Sequence, residues 1–205
     1  QNIMGVQVQP YHHGNLKQAL LDKALEHLRL HGPDKISLRA LARDVGVSQT
    51  APYRHFEDKT ALLAALSTEG FRRLYEASSS VMKIKGSAAD SLQMSGKAYI
   101  HFALDNPELY RLMFGPMLSP DDDFPELEEA GGNAFNVIVS LVQRGIETGE
   151  FIDKDPLLVA NSTWAMVHGI SSLMLDRRFD CVEGGISESV LDESLNLIML
   201  GLQVR

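Results

Sequence analysis

The stretch Ile36–Leu63, ISLRALARDVGVSQTAPYRHFEDKTALL, decides the fold of the N-terminal part of this chain. Ser37 is a good helix N-cap, and it is followed at helical spacing by the apolar residues Leu38, Leu41, Ala42 and Val45. Gly46 then interrupts the pattern, because a glycine takes the positive φ of a tight turn at little steric cost. These residues predict a short helix that ends in a glycine turn.

A second helix should follow this turn almost at once, in spite of Pro52. Ser48 is its natural N-cap, which makes Gln49, Thr50 and Ala51 its first three residues. At the edge of the first turn a proline loses at most one hydrogen bond, whereas in a helix interior it costs about 3 kcal/mol. Helix, glycine turn and helix form the helix-turn-helix, whose second helix presents its N-terminal residues to base edges in the major groove.

Helical periodicity continues on both sides of this motif. Asn15 is a predicted N-cap for a helix that Gly32 and Pro33 end, and Asp58 is the predicted cap of a long helix that runs past Tyr75. Beyond a break at 83–88 the periodicities predict five more helices, near 87–105, 107–114, 125–149, 156–177 and 187–204. We find no convincing strand and no internal repeat, so the sequence predicts an all-α fold.

Charge is divided unevenly along the chain, whose net charge is −8. From Tyr11 to Tyr75 there are 10 basic and 7 acidic residues, a balance of +3, whereas from Glu76 onward 9 basic and 20 acidic residues give −11. The N-terminal segment can therefore meet phosphate, and the acidic remainder would be repelled by it.

Cysteine usage and hydropathy predict a soluble, cytoplasmic protein. The single Cys181 excludes an intrachain disulfide and a cysteine-rich zinc site, which fits a reducing compartment. We find no apolar run of the roughly 18 residues needed to span a bilayer, and no signal-peptide pattern at the N-terminus. His12 and His13 lack the further ligands of a closed metal site, so we predict no metal and no cofactor.

At Ile36–Leu63 the sequence resembles the DNA-binding domain of the TetR family of bacterial transcription regulators. The resemblance covers about Asn15 to Leu74, and it departs from the family pattern at Pro52, where an aliphatic residue is usual. The residues that fall at the family's spacing are Ala42, Gly46, Val47, Tyr53, Phe56 and Lys59. It implies an N-terminal arm over 1–14, a three-helix DNA-binding domain over 15–75 and a C-terminal domain over 76–205.

The C-terminal part resembles a subgroup of that family named for a Trp-His-Gly motif. Trp164, His168 and Gly169 carry the motif here, and the segments YHHGNLK and HFALDNPELYRLMFGP also resemble the subgroup. Such C-terminal domains are all-helical, usually bind a small molecule and dimerise. The resemblance implies no particular ligand, and the acidic charge of this segment favours a neutral or cationic one.

The resemblance also implies roles in DNA binding. Base edges would be contacted by Arg39, Gln49, Thr50 and Ala51, and phosphates by Ser37, Tyr53, His55 and Lys59. The alternative for each residue taken singly is an ordinary polar helix surface, and only their joint spacing favours the set.

A ligand pocket can be built from the large, adaptable side chains of the C-terminal part: Tyr99, Phe102, Tyr110, Met113, Phe114, Trp164, Met166 and His168. Hydrophobic cores use the same residue types, so core packing is the competing interpretation for each of them. Trp164 and His168 are four residues apart and share a helix face, where the histidine either orients a ligand or only satisfies a carbonyl.

The last two predicted helices are apolar over much of their circumference. The residues that suggest a second buried face are Leu173, Met174, Val190, Leu191, Leu195, Ile198, Met199 and Leu202. Two such helices from each subunit would make a four-helix, two-fold dimer interface and predict a palindromic operator. The alternative is a monomer in which other helices of the same chain cover these apolar residues.

We therefore expect a homodimeric repressor that binds double-stranded DNA and responds to a small-molecule effector, with no membrane partner. One alternative is a constitutive DNA-binding dimer without a ligand. The other is a helical enzyme acting on a small apolar substrate, although we find no P-loop, dinucleotide fingerprint, nucleophile elbow or HExxH pattern.

Overall fold

The structure is a computed structural model that describes residues 16–83, 86–119, 121–181 and 187–204. In these ranges the protein is built from α-helices, joined by short 3-10 turns, and contains no strand, which confirms the all-α prediction. The helices are α1 (Leu16–His31), α2 (Leu38–Val45), α3 (Lys59–Ser79), α4 (Ala88–Asp105), α5 (Pro107–Phe114), α6 (Pro125–Glu147), α7 (Pro156–Leu175) and α8 (Glu188–Leu202). The predicted arm, His12, His13 and the predicted cap Asn15 lie outside the described residues.

Side-chain caps set several helix starts. The Asp58 carboxylate accepts from the Ala61 N–H at 2.8 Å, as predicted for the start of α3. Ser37 has the extended backbone of an N-cap before α2, but its side chain makes no capping hydrogen bond. Each satisfied cap removes one of the unpaired N–H groups that every helix start exposes.

The chain divides into two compact units, with the division inside α3 between Leu62 and Leu63. The sequence-based domain boundary after Tyr75 stays a prediction. In the N-terminal unit α1 packs against α2 and against the turns that follow each helix. The buried apolar residues of these elements include Leu20, Ala24, Leu28, Leu41, Ala42 and Phe56.

In the C-terminal unit α4 lies at the centre and packs against α6, α7 and α8. The Ser87 hydroxyl and the Glu150 carboxylate both cap its first turn, since Glu150 accepts from the N–H groups of Ala88 and Ala89 at 3.0 and 3.2 Å. Arg144 of α6 donates to the Ser91 hydroxyl at 2.7 Å. These bonds join the start of α4 to the end of α6.

The end of α8 is held by backbone hydrogen bonds to the segment after α6. The Ile152 N–H donates to the Leu202 carbonyl at 2.8 Å, and the Val204 N–H donates to the Glu150 carbonyl at 3.1 Å. Within the ranges described above, none of the helices is both long and apolar enough to cross a bilayer.

Candidate functional site

The helix-turn-helix is formed by α2, a glycine turn and a short 3-10 helix at Ala51–Arg54. Gly46 adopts φ 80° and ψ 29°, the left-handed conformation expected of it, and the Val47 N–H donates to the Ala42 carbonyl at 2.9 Å. Only a residue that tolerates positive φ reverses the chain so tightly after α2. The turn therefore places the next element directly against this helix.

The predicted second helix of the motif is shorter than expected and is not α-helical. It begins at Ala51 rather than at Gln49, and Thr50 occupies its N-cap position. In an α-helix capped by Ser48, the N–H of residue 52 would donate to the Ser48 carbonyl, but Pro52 has no N–H. Instead, the Ala51 N–H donates a hydrogen bond to the Ser48 carbonyl at 3.0 Å, which gives the tighter 3-10 pattern. Pro52 itself is buried.

The residues predicted to contact bases lie on the surface of the N-terminal unit. Arg39, Gln49 and Thr50 are exposed, and Ala51 is half-buried. The Ser48 and Thr50 hydroxyls lie 3.2 Å apart, so they hold each other within the turn before the 3-10 helix.

The residues predicted to contact phosphates are also reachable. Ser37 and His55 are exposed, and Tyr53 is 46% exposed although its side chain is large and mostly apolar. Lys59 is half-buried, and its Nζ donates to the Asp34 carbonyl at 3.0 Å. An ammonium group has three N–H donors, so this bond positions Lys59 and leaves two donors for another acceptor.

The C-terminal unit contains a cavity of about 270 Å³ between α3, α4, α6 and α7. Its walls are mainly apolar, with aromatic rings from Phe71, Tyr99, Phe114, Phe135 and Trp164. Phe71 and Phe114 meet edge to face with ring centroids 5.3 Å apart, and Phe135 and Trp164 do so at 5.8 Å. These pairs fix the shape of the cavity wall.

A polar network extends from the wall of this cavity to an adjacent cleft. The Trp164 indole N–H donates to the Tyr99 hydroxyl at 3.2 Å, and the Tyr99 and Tyr110 hydroxyls lie 3.0 Å apart. The Tyr110 hydroxyl lies 2.7 Å from Nδ1 of His168, and the same nitrogen is 3.2 Å from the Tyr99 hydroxyl. Four of the eight predicted pocket residues thus meet in a single hydrogen-bonded cluster, hereafter the Trp164–His168 network.

Burial keeps the members of this network uncharged. Desolvation raises the pKa values of Tyr99 and Tyr110 and lowers the pKa of His168, because each charged form would lose hydration inside the protein. The network is therefore a set of neutral donors and acceptors at neutral pH.

The structure divides the predicted pocket residues between four environments. Tyr99, Phe114 and Trp164 line the cavity. Tyr110 and His168 line an adjacent cleft, which Phe114 also borders. Phe102 and Met113 line neither and are buried, which fits the core interpretation, and Met166 is exposed.

Sequence reasoning missed several small residues of the cavity wall. Ser78, Ser95 and Thr163 are buried polar residues that line it, and Gly96, Gly131 and Ala134 also line it. Ser95 and Tyr99 are four residues apart on α4, and this helical spacing is the signal that could have found Ser95.

The predicted dimer residues separate into two sets. Leu191, Leu195, Ile198 and Met199 are buried within the subunit, so they are not available to a partner. Leu173 and Val190 are exposed, and Met174 and Leu202 are half-buried. Large apolar residues that are exposed on the same two helices are Leu157, Leu158, Met166, Leu197 and Leu200.

Comparison with known proteins bears on both units. Residues 20–66 match the family described as "Bacterial regulatory proteins, tetR family", and residues 92–198 match the family described as "Tetracyclin repressor-like, C-terminal domain". These two families are families of transcription regulators, and the second is the type that carries the Trp-His-Gly motif.

Individual proteins resemble the chain over most of its length. It is 28% identical over 194 residues to the uncharacterized HTH-type transcriptional regulator YobS of Bacillus subtilis (strain 168). This alignment covers 93% of this chain and 94% of YobS. It is 28% identical over 153 residues to the nucleoid occlusion factor SlmA of Edwardsiella ictaluri (strain 93-146), covering 72% of this chain and 76% of that protein.

A solved structure of a protein of unknown function from Rhodococcus sp. RHA1 has a TM-score of 0.85 with this structure and 34% sequence identity. The similarity covers 96% of this chain and 100% of that one. Because one family match covers the helix-turn-helix and the other covers more than half of the chain, including most of the cavity wall, the protein belongs to the TetR family of bacterial transcription regulators.

Proposed function

We propose that this protein is a homodimeric transcriptional repressor whose affinity for a palindromic operator is lowered by a small-molecule effector. The observation that carries the effector part is the cavity of about 270 Å³ in the C-terminal unit. Natural protein cores contain few voids larger than a water molecule, so a cavity of this size is not ordinary core packing. A mainly apolar cavity with a few polar groups in its wall is typical of a small-molecule binding site.

We assign DNA binding to the exposed surface of the helix-turn-helix. Gln49 would pair with adenine through its amide, Ala51 would pack on a thymine methyl, and Arg39 would reach a guanine or a phosphate. Thr50 would add a hydroxyl contact to a base edge. Ser37, Tyr53, His55 and Lys59 would hold phosphates and so set the register of the protein on the duplex.

We assign dimerisation to the outward faces of α7 and α8. Leu158, Met166 and Leu173 share one face of α7, and Val190, Leu197 and Leu200 are exposed on α8. Exposed apolar side chains grouped on two neighbouring helices are typical of an interface. A second copy is the expected partner, because two-fold pairing of two helices from each subunit covers the same residues on both.

Helix α3 connects the two activities. It begins at Lys59, a proposed phosphate contact, and it carries the cavity residues Phe71, Leu74 and Ser78 toward its other end. An effector that moves these three residues would also move the start of the helix. To regulate, the effector must bind the DNA-free conformation more tightly than the DNA-bound one, since equal affinity would shift nothing.

The test is selection of genomic fragments by the purified protein, followed by sequencing, beside the triple variant Arg39→Ala, Gln49→Ala and Tyr53→Phe. We expect the protein to enrich a palindrome that the variant does not enrich. No enrichment at low salt would contradict the assignment of the DNA-binding surface.

Control by a small-molecule effector is tested in a second experiment. The enriched operator is titrated in the presence of a library of small molecules, and release of DNA identifies effectors. If compounds that occupy the cavity do not change the affinity of the protein for the operator, effector control is excluded. The protein is then a constitutive DNA-binding dimer.

A further inference from the structure

We propose that the cavity is selective for an uncharged, mainly apolar molecule that carries one or more oxygen functions, which the hydroxyls of Ser78 and Ser95 bind. This inference rests on the proposed function, since it specifies the chemical class of the effector. The acidic charge of the C-terminal part left both neutral and cationic effectors open. The geometry of the cavity separates these two classes.

The wall of the cavity carries no formal charge. Of the sixteen described residues that line it, none is Asp, Glu, Lys, Arg or His. A carboxylate or ammonium group that entered would lose hydration without gaining an ion pair, and burying an unpaired charge is far more costly than burying a hydrogen-bonded neutral group. The many acidic residues of the C-terminal part therefore lie away from the ligand.

Aromatic rings could still attract a cation through their faces. In this cavity, however, much of the aromatic surface is used between the rings themselves. Phe114 packs against Phe71 at 5.3 Å and lies 6.2 Å from Trp164, which in turn meets Phe135 at 5.8 Å. The aromatic wall is thus mainly an apolar surface, and the experiment below includes a cation as a direct test.

The serine hydroxyls are the unusual feature of this site. Four buried hydroxyl residues in the described helices donate to the carbonyl four residues earlier: Thr68, Ser91, Thr163 and Ser171. Ser78 and Ser95 are also buried as residues and both line the cavity, yet neither side-chain hydroxyl has a hydrogen-bond partner among the described residues. Among the described residues, the enclosed hydroxyl without a partner is that of Ser67, which lies outside the cavity wall. The Ser78 and Ser95 hydroxyls instead border the cavity, so a ligand oxygen there could form the hydrogen bond that the protein does not supply.

Three other polar side chains of the wall, those of Trp164, Tyr99 and Thr163, already have hydrogen-bond partners. The Trp164 N–H donates to Tyr99, whose hydroxyl also meets Tyr110 and His168, and the Thr163 hydroxyl donates to the Val159 carbonyl at 2.8 Å. Asn161 also lines the cavity, but it is an exposed residue. Ser78 and Ser95 are therefore the interior groups with donors to offer.

The volume limits the size of the molecule. About 270 Å³ lies just below the roughly 300 to 1,000 Å³ of typical ligand pockets. A compact alcohol, ketone, ester or lactone fits this description, since each has an uncharged oxygen on an apolar frame.

Trp164 makes the test direct, because it is the only tryptophan in the chain and lines the cavity. The fluorescence of the full-length protein is titrated with 1-octanol, sodium octanoate and octylamine at about pH 7.5, where the acid and the amine are both charged. We expect 1-octanol to change the emission with a Kd at least about tenfold lower than that of either charged probe.

The inference is overturned if octanoate or octylamine binds as tightly as 1-octanol. It is also overturned if no probe changes the emission up to its solubility limit. To confirm that the signal comes from the cavity, Ala134→Leu fills it and should abolish the response to 1-octanol. Gly131→Leu is a second filling variant in case the first does not fold, and circular dichroism verifies folding of each.

The serine variants test the recognition of the oxygen. Ser78→Ala and Ser95→Ala should each weaken 1-octanol binding by about fivefold, the effect of one lost hydrogen bond. Ser140→Ala, an exposed position on α6 outside the cavity, is the matched control and should leave the Kd unchanged. Unchanged binding in both cavity variants would contradict the role of the two hydroxyls.

Failure of this inference can be told from failure of effector control. If a charged compound both occupies the cavity and releases the operator, the neutral class is wrong and effector control stands. If 1-octanol binds with the expected selectivity but cavity ligands never alter operator affinity, the cavity chemistry stands and effector control is wrong.

Discussion

The hydroxyl of Tyr110 lies 2.7 Å from Nδ1 of His168, the shortest distance of the Trp164–His168 network. With Nδ1 unprotonated, the donors follow one direction, from the Trp164 N–H to Tyr99, from Tyr99 to Tyr110, and from Tyr110 to His168. Each hydroxyl then donates once and accepts once. Protonation of His168 would turn Nδ1 into a donor, and Nδ1 could then no longer accept the hydrogen bond from the Tyr110 hydroxyl.

A pH dependence of stability follows from this arrangement. Burial holds the pKa of His168 below its ordinary value of 6.5. As pH falls through the ordinary value, the unfolded chain binds a proton at this histidine that the folded protein does not, so the free energy of unfolding decreases until pH passes the folded pKa. Urea unfolding of the protein and of His168→Asn at about pH 7.5 and pH 5.5 measures this loss, and we expect it to be smaller in the variant.

The comparison between the two proteins isolates His168, because other groups that titrate contribute equally to both. An equal loss of stability in the protein and in His168→Asn would show that the buried network does not couple to protonation. Tyr110→Phe, which removes the hydroxyl but keeps the ring, should reduce stability at both pH values by about 1 kcal/mol.

Two glycines of α6 should respond in opposite directions to the same substitution. A Cβ on Gly145 would overlap the ring of Phe151, which is buried and has little freedom to move. We expect Gly145→Ala to destabilise the protein by about 1 to 3 kcal/mol. Gly132 is exposed in the same helix with nothing within 4 Å of its Cβ position, so Gly132→Ala should stabilise by about 0.5 to 1 kcal/mol.

Chemical denaturation of the two variants measures both effects. Stabilisation by Gly145→Ala, or equal effects of the two changes, would contradict the close approach of Phe151 to α6.

The carboxylate of Glu150 should stabilise the start of α4. The hydrogen bonds from Ala88, Ala89 and Thr148 hold its pKa below the usual range. Its contribution is therefore present above the unfolded pKa and is lost as pH falls through the lower folded value. We expect Glu150→Ala to lower the free energy of unfolding by about 1 kcal/mol at neutral pH and by less in acid.

Glu193→Ala, at an exposed position on α8, is the control for the loss of one acidic side chain. If both variants lose the same stability at all pH values, the bonds from Glu150 to the helix start contribute nothing.

The outward face of α8 should carry the dimer contact. Leu197 is 62% exposed, and a charge placed there would be buried by a partner subunit. We expect Leu197→Glu to convert the dimer to a monomer in analytical ultracentrifugation and to weaken operator binding, because two half-sites would no longer be bound together. Leu30→Glu, at a residue 55% exposed on α1, is the control and should stay dimeric. A dimeric Leu197→Glu protein would exclude this face.

Substitutions in the helix-turn-helix should separate reading of bases from holding of phosphates. We expect Gln49→Ala to cost about 1 to 3 kcal/mol on the operator and to relax the preference at one position of each half-site. Tyr53→Phe should weaken binding about equally on operator and unrelated DNA, because a phosphate contact carries no sequence information. Fluorescence anisotropy on both duplexes distinguishes the two effects, and equal losses on both duplexes for Gln49→Ala would contradict its role in base reading.

Local patterns sufficed for the helical fold and its main boundaries. The range Pro107–Phe114 was predicted as it is observed, and the Asp58 cap and the Gly46 turn are where the sequence placed them. Each of these features depends on residues within four or five positions, through helical spacing, a capping carboxylate or a glycine that tolerates positive φ. The helix after the turn failed as a prediction because the N–H missing from Pro52 changed the hydrogen-bond pattern of the turn.

Tertiary structure alone decided which apolar side chains form a core, a cavity or an outer face. Tyr99 and Phe102 are three residues apart on α4, yet one lines the cavity and the other is packed away from it. On α8, Leu195 is buried and Leu197 is exposed, although both are leucines in one apolar helix. Periodicity shows that a helix has apolar faces, but the helices packed around it determine which face is covered. The free hydroxyls of Ser78 and Ser95 likewise became visible only once α3 and α4 were packed around a common space.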